Sequence, residues 1–207
     1  MARKREGYHH GDLRRAILDA GEAELAERGR HGFSLRRVAA RVGVSHTAPA
    51  HHFRDVSGLL EALATRGFER LLDCMQRRQS GATGGAYDRL VSSGCGYLDF
   101  ALGQPALFRL VFGLDATPVA GSPLQTAGRA AFDHLADAVA ALRNADPQDP
   151  ALRVDVLASW TRVHGFAELV ISGYVDAGPD MDAATETLFR AVFAADLDGP
   201  EPGGPTG

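Results

Sequence analysis

His46, Thr47 and Ala48 follow a Gly43-Val44-Ser45 turn, and their small or polar side chains suit the major groove of duplex DNA. A threonine there offers a hydroxyl for hydrogen bonding and a methyl for thymine. Two other sets of residues could do chemistry. The pairs His9-His10 and His51-His52 suggest metal, but adjacent helical residues point about 100° apart and a zinc site needs three or four convergent ligands. No metal site is expected. Trp160 and His164 lie four apart on one helical face. They read either as a ligand-pocket wall with a polar handle or as a core histidine packed on tryptophan. Cys95, Tyr97, Leu98, Phe100, Leu107, Phe108 and Phe112 read likewise as the lining of an apolar cavity or as ordinary core. There is no nucleophile–base constellation. Gly81, Gly84 and Gly85 follow no strand, so they make no dinucleotide site. No catalytic residue and no cofactor are expected.

The elements that must position these residues are all helical. Leu13, Ile17, Ala20, Gly21 and Leu25 share one face of a first helix, with Asp12 as its N-cap and Gly29 at its end. Phe33 is expected to plug the small core. Ser34 is expected to cap a second helix, with Leu35, Val38, Ala39 and Val42 on its apolar face. Gly43 ends it without a Cβ clash, Val44 tucks into the angle, and Ser45 caps a short third helix over about residues 46–52. Pro49 shortens or bends that helix, and Phe53 closes the unit. Further helices are predicted at about residues 57–79, 86–102, 105–112, 123–143, 150–172 and 181–197, with a glycine-rich linker at 80–85. There is no strand alternation and no repeat. The fold class is all-α: a three-helix DNA-binding domain over residues 1–56, a helical ligand-binding and dimerisation domain over 57–198, and a disordered tail over 199–207.

Charge follows the same division. The net charge is −4. Residues 1–54 nonetheless carry 11 Lys+Arg against 6 Asp+Glu, and six of the eight histidines; the remainder carries 11 against 20. A basic module on an acidic body is a footprint for phosphates, or else a solvated charged face. An apolar content of 45% fits a soluble globular protein. No run approaches the ~20 apolar residues that span a bilayer, and no apolar run follows the basic start, so neither a membrane span nor a secretory signal is expected. With only Cys74 and Cys95, the expected place is the cytoplasm.

The order of residues narrows the reading. The run from Phe33-Ser34-Leu35-Arg36-Arg37-Val38 through Gly43-Val44-Ser45, followed by His52-Phe53, resembles the DNA-binding domain of the TetR (tetracycline-repressor-like) family over roughly residues 9–65. Tyr8-His9-His10-Gly11-Asp12 with Trp160, His164 and Gly165 resembles the branch whose C-terminal domain is named for a Trp–His–Gly signature. The resemblance implies an operator-binding homodimer. His46, Thr47 and Ala48 would meet base edges. Arg36 would reach a base or phosphate, and arginine can pair bidentately with guanine. Ser34, Ser45, His51 and His52 would touch phosphates. The family usually has tyrosine where this chain has Ala50, and lysine where it has Val56. Arg3, Lys4 and Arg5 in the N-terminal arm, with His9 and His10, are the candidates to compensate.

The leading expectation is a repressor released by a small apolar ligand, neutral or cationic. Tyr97, Phe100, Leu107, Phe108, Phe112, Trp160 and His164 are the candidate ligand contacts. The alternatives are a DNA-binding regulator without an effector, an activator, and an all-α enzyme or interaction module in which the N-terminal pattern is incidental. For the dimer, Leu157, Val163, Val170, Leu188, Val192 and Phe193 on the last two long helices are the candidate contacts.

Overall fold

The computed structural model describes residues 10–114, 119–176 and 181–195. Among these, every regular element is a helix: α1 His10–Arg28, α2 Leu35–Val42, α3 Ala48–Phe53, α4 Val56–Ser80, α5 Ala86–Gly103, α6 Pro105–Phe112, α7 Pro123–Arg143, α8 Arg153–Ile171 and α9 Ala183–Ala194. A 3-10 turn, Pro150–Leu152, leads into α8. None of these helices is long and apolar enough to cross a membrane.

Proline and short capping side chains fix many of the boundaries. Pro105 and Pro123 open α6 and α7, where a missing N–H costs nothing. The Asp149 carboxylate accepts from Ala151 N at 2.9 Å, and Asp182 accepts from Thr185 N at 2.7 Å. The second cap moves the start of α9 from the expected residue 181 to Ala183. Asp55 accepts from Gly58 N at 2.8 Å, so α4 starts at Val56. α1 runs from His10, so Asp12 sits in its first turn and is not its cap.

The described residues fall into two compact units. One, called the head below, holds those up to Glu69 and those of Pro105–Gly128; the other, the body, holds those of Arg70–Gln104 and Arg129–Gly207. In the head, α1 packs against α2, α3 and α6. Its core includes Ile17, Leu18, Leu25, Val38, Phe53, Leu59, Leu63 and Phe108, while Phe33 is only half-buried. The Arg14 guanidinium lies 5.0 Å over the Phe53 ring. Arg66 ties α4 to α1 through Asp19 at 2.6 Å and Glu22 at 2.8 Å.

In the body, α5 is buried nearly all round, from Leu90 to Leu102, and packs against α8 and α9. Phe166, Phe189 and Phe193 form a tilted aromatic stack between α8 and α9. The Val163, Val170 and Phe193 side chains belong to this interior. Their expected part in a dimer contact is therefore corrected: they fill the protomer's own core.

Candidate nucleic-acid interface

The turn between α2 and α3 is built by backbone geometry. Gly43 takes the left-handed conformation (φ 74°), which a side chain would strain. Its N–H bonds to Ala40 O at 3.2 Å, and the Val44 N–H bonds to Ala39 O at 3.1 Å. This double closure ends α2 sharply.

α3 begins at Ala48, two residues later than the sequence suggested. Pro49 is the reason. A helix opening at His46 would need a proton on the Pro49 nitrogen to bond the Ser45 carbonyl. Starting at Ala48 puts Pro49 in the first turn, where no such bond is required. The Ser45 carbonyl instead accepts from Ala48 N at 3.0 Å. His46 and Thr47 thus stand in the turn that enters the helix, both exposed.

The expected side-chain caps are not made. The Ser45 hydroxyl pairs with the Thr47 hydroxyl at 3.1 Å, and Ser34 gives its backbone carbonyl to Arg37 N and Val38 N at 3.1 Å each. Ser45 is exposed and Ser34 half-buried.

α2 carries three arginines, and they do different things. Arg37 and Arg41 both reach Glu24 on α1, whose side chain is 0% exposed. Arg41 also pairs with Glu27, and Arg37 donates to Gly32 O. Burial pushes the Glu24 carboxyl up, but hydrogen bonds and charge from Arg37 and Arg41 outweigh it and hold it below the usual carboxylate range. Arg36 is exposed and has no hydrogen bond or ion pair with any described residue.

His51 is exposed on α3, and His52 is half-buried with its ring 6.3 Å from that of Phe53. Ala48 is half-buried. Ala50 and Val56 are both exposed and offer no polar group. Arg3, Lys4, Arg5 and His9 lie outside the described residues. Sequence reasoning missed Glu24. Its signal was the spacing, since residue 24 lies seven after Ile17 and three after Gly21, on the buried face of α1.

The seven candidate ligand residues separate into two groups. Leu107, Phe108 and Phe112 belong to the head, where Phe112 meets Phe68 of α4 edge-on at 5.8 Å. Tyr97, Phe100, Trp160 and His164 belong to the body. There the Tyr97 hydroxyl lies 2.8 Å from His164 Nδ1, and the Trp160 ring is edge-on to both His164 and Phe132. Burial pushes the Tyr97 hydroxyl up, against a hydrogen bond from Trp160. Burial lowers His164 despite Glu168, and lowers His134 despite Asp137. Among the described residues no three or more His, Cys, Asp or Glu side chains gather as a metal site.

Two short helices set by a tight glycine turn against a third, with an exposed arginine and an exposed helix entrance, have the geometry of a helix-turn-helix. Comparison with known proteins identifies the family. Residues 17–63 match "Bacterial regulatory proteins, tetR family" and residues 90–192 match "Tetracyclin repressor-like, C-terminal domain". The chain belongs to the TetR family of bacterial regulatory proteins.

It is 33% identical over 115 residues to the HTH-type transcriptional regulator BetI of Escherichia coli O127:H6, a match covering 47% of this chain and 59% of that protein. A structure of a protein of unknown function from Rhodococcus sp. RHA1 is 38% identical, with a TM-score of 0.72, over 90% of this chain and 98% of the other. A TetR-like transcriptional regulator from Rhodococcus sp. RHA1 shares the fold at 16% identity and a TM-score of 0.65, over 94% of this chain and 100% of the other.

Proposed function

We propose that the chain is a repressor that grips a palindromic operator as a homodimer and releases it when a small apolar ligand binds the body. The observation that carries the reading is the division of labour on α2. Arg37 and Arg41 are committed to Glu24, while Arg36 beside them is left for an outside partner. Arg36, His46, Thr47 and Ala48 read base edges, and Ser34, Ser45, His51 and His52 hold phosphates, with Arg3, Lys4 and Arg5 adding an arm.

The dimer reading rests on an exposed stripe. On α8 it comprises the exposed Val154, Leu157, Thr161 and Leu169, with the half-buried Gly165 among them, spaced by three or four residues; Val154 is 74% exposed. On α9 it comprises Ala184, Leu188, Ala191 and Val192. A Cβ at Gly165 would meet no atom within 4 Å, so the backbone is open in the middle of the α8 stripe. A second copy that lays its own stripe here makes a four-helix interface with two-fold symmetry.

The ligand reading rests on Tyr97, Phe100, Trp160 and His164, an aromatic interior with a neutral polar handle. α4 continues unbroken from Val56 to Ser80 and carries any tilt towards α3. A coupling of ~3 kcal/mol between ligand and DNA gives about 150-fold release.

The test is selection of the full-length protein on a random duplex pool, with sedimentation of the wild type and of Gly165→Trp. The expected result is two symmetric half-sites about 34 Å apart, a wild-type dimer, and a folded Gly165→Trp monomer that loses the site. A single asymmetric site, or a Gly165→Trp dimer, contradicts the reading. Apolar and cationic compounds that stabilise the protein should release the selected duplex. Tight binders that leave DNA affinity unchanged leave a regulator without an effector.

A further inference from the structure

One seam of the body joins α5 to α8 by hydrogen bonds as well as by apolar packing. Tyr97 on α5 is 4% exposed, and its hydroxyl lies 2.8 Å from Nδ1 of His164 on α8. Trp160, one turn before His164, shares a hydrogen bond with the same hydroxyl. The His164 ring is edge-on to both partners, at 6.4 Å between centroids in each pair. Phe132 of α7 meets Trp160 edge-on at 6.1 Å.

The donors and acceptors give this chain of bonds one direction. An indole nitrogen only donates, so the Trp160 N–H points at the Tyr97 oxygen. The hydroxyl then gives its own proton to Nδ1 of His164, which accepts only in a neutral ring whose proton sits on Nε2. A proton on Nδ1 would aim two N–H groups at one oxygen. Among the described residues no buried side-chain nitrogen or oxygen lacks a partner, so the neutral arrangement is a satisfied one. The surroundings favour it. Burial lowers His164 against the pull of Glu168, one turn further along α8. On α7, His134 is engaged with Ser93 of α5 at 3.3 Å and has Asp137 near it. α9 turns Phe189 and Phe193 towards α8, with Arg162 over Phe193, and its Glu186 and Arg190 pair with Arg78 and Asp88. Asp155 of α8 is held by Arg143 at 2.7 Å.

We propose that Trp160, Tyr97 and His164 form an acid-sensitive latch between α5 and α8, opened by a proton on Nδ1 of His164. The imidazolium N–H is a charged donor and takes the Tyr97 oxygen. The phenolic proton swings to the other side of that oxygen, where the Trp160 N–H had been. Trp160 thereby loses its tie to α5. The latch acts on α8, the helix that exposes Leu157 and Leu169 on another face. It needs no bound ligand and stands independently of operator release.

The test uses the chain's single tryptophan, which gives one indole N–H signal in a nitrogen-15–proton correlation spectrum of the full-length protein. The signal is followed from about pH 8 to about pH 5, with circular dichroism at each step. In the wild type it should move once, towards the position of an indole that has lost its protein acceptor, with a midpoint below the ordinary histidine value of 6.5 and an unchanged circular dichroism spectrum. In His164→Gln it should keep its neutral-pH position throughout, because the glutamine oxygen still accepts from Tyr97 and does not titrate. In Tyr97→Phe it should begin, at neutral pH, where the wild type ends in acid, and should not step. His134→Gln should follow the wild type. The ring nitrogens of His164, assigned by their loss in His164→Gln, should show the proton on Nε2 at neutral pH. A wild-type signal that does not move, a step that survives His164→Gln or Tyr97→Phe or vanishes in His134→Gln, or a proton on Nδ1 at neutral pH, overturns the proposal.

Discussion

The head and the body bury polar groups by opposite strategies. In the head, Glu24 is fully buried and kept ionised by Arg37 and Arg41, whose remaining surface faces solvent. In the body, burial keeps Tyr97, His134 and His164 neutral, and pushes the Cys95 thiol up to about 12. A buried charge pair does little for net stability but specifies geometry. In the head that geometry is the setting of α2 on α1, and with it the direction in which Arg36 is offered. A neutral interior suits an apolar guest, because no ion must be desolvated to admit one.

The sharpest way to break the comparison is to orphan the buried charge. Arg37→Ala combined with Arg41→Ala leaves Glu24 without a counter-ion and should cost about 3–5 kcal/mol, read from the urea midpoint at constant slope. A loss under about 1 kcal/mol would mean that water already reaches Glu24.

Acid should then separate the two regions. The histidines come first. Their folded values lie below the ordinary ~6.5, so on lowering the pH the unfolded chain takes up protons before the folded one. Stability should therefore begin to fall below about pH 6.5, and replacing His134 and His164 with Gln should flatten that slope. Glu24 comes second. Its folded value lies below the ordinary ~4.3, so its contribution is intact above that pH and is lost only as the pH drops further. A melting temperature flat from pH 7 to pH 5 in the wild type would remove the neutral histidines from the account.

Tyr97→Phe removes the neutral hydrogen bonds of its hydroxyl to His164 and Trp160 and should cost about 1–2 kcal/mol. Arg36→Ala should be the mildest for the fold, within about 0.5 kcal/mol, because the side chain is exposed and makes no hydrogen bond or ion pair with any described residue.

Much of the fold was legible in the sequence, where punctuation was unambiguous. Pro105, Pro123 and Gly43 each have one structural meaning at a helix end, and the helices they bound fall where they were expected. The α3 start was misplaced because Ser45 looked like a cap, while the constraint came from the nitrogen of Pro49, four residues on. Glu24 was unread because a carboxylate on a buried face only makes sense once α2 brings Arg37 and Arg41 over it, a tertiary fact. The α8 face was mixed for a similar reason. Leu157 and Val163 are both apolar on one helix, and only the packing of α5 and α9 shows that Val163 faces inward and Leu157 outward. The turn that carries His46 and Thr47, both exposed, was legible because its geometry is local.

The measurement that bears most directly on the central claim is fluorescence anisotropy of the selected duplex against wild type and Arg36→Ala, at salt concentrations from 50 to about 200 mM. The account predicts affinity that falls steeply with salt, and a loss of about ten-fold or more in Arg36→Ala with an unchanged circular dichroism spectrum. Equal affinity of the two proteins, or binding indifferent to salt, would contradict it.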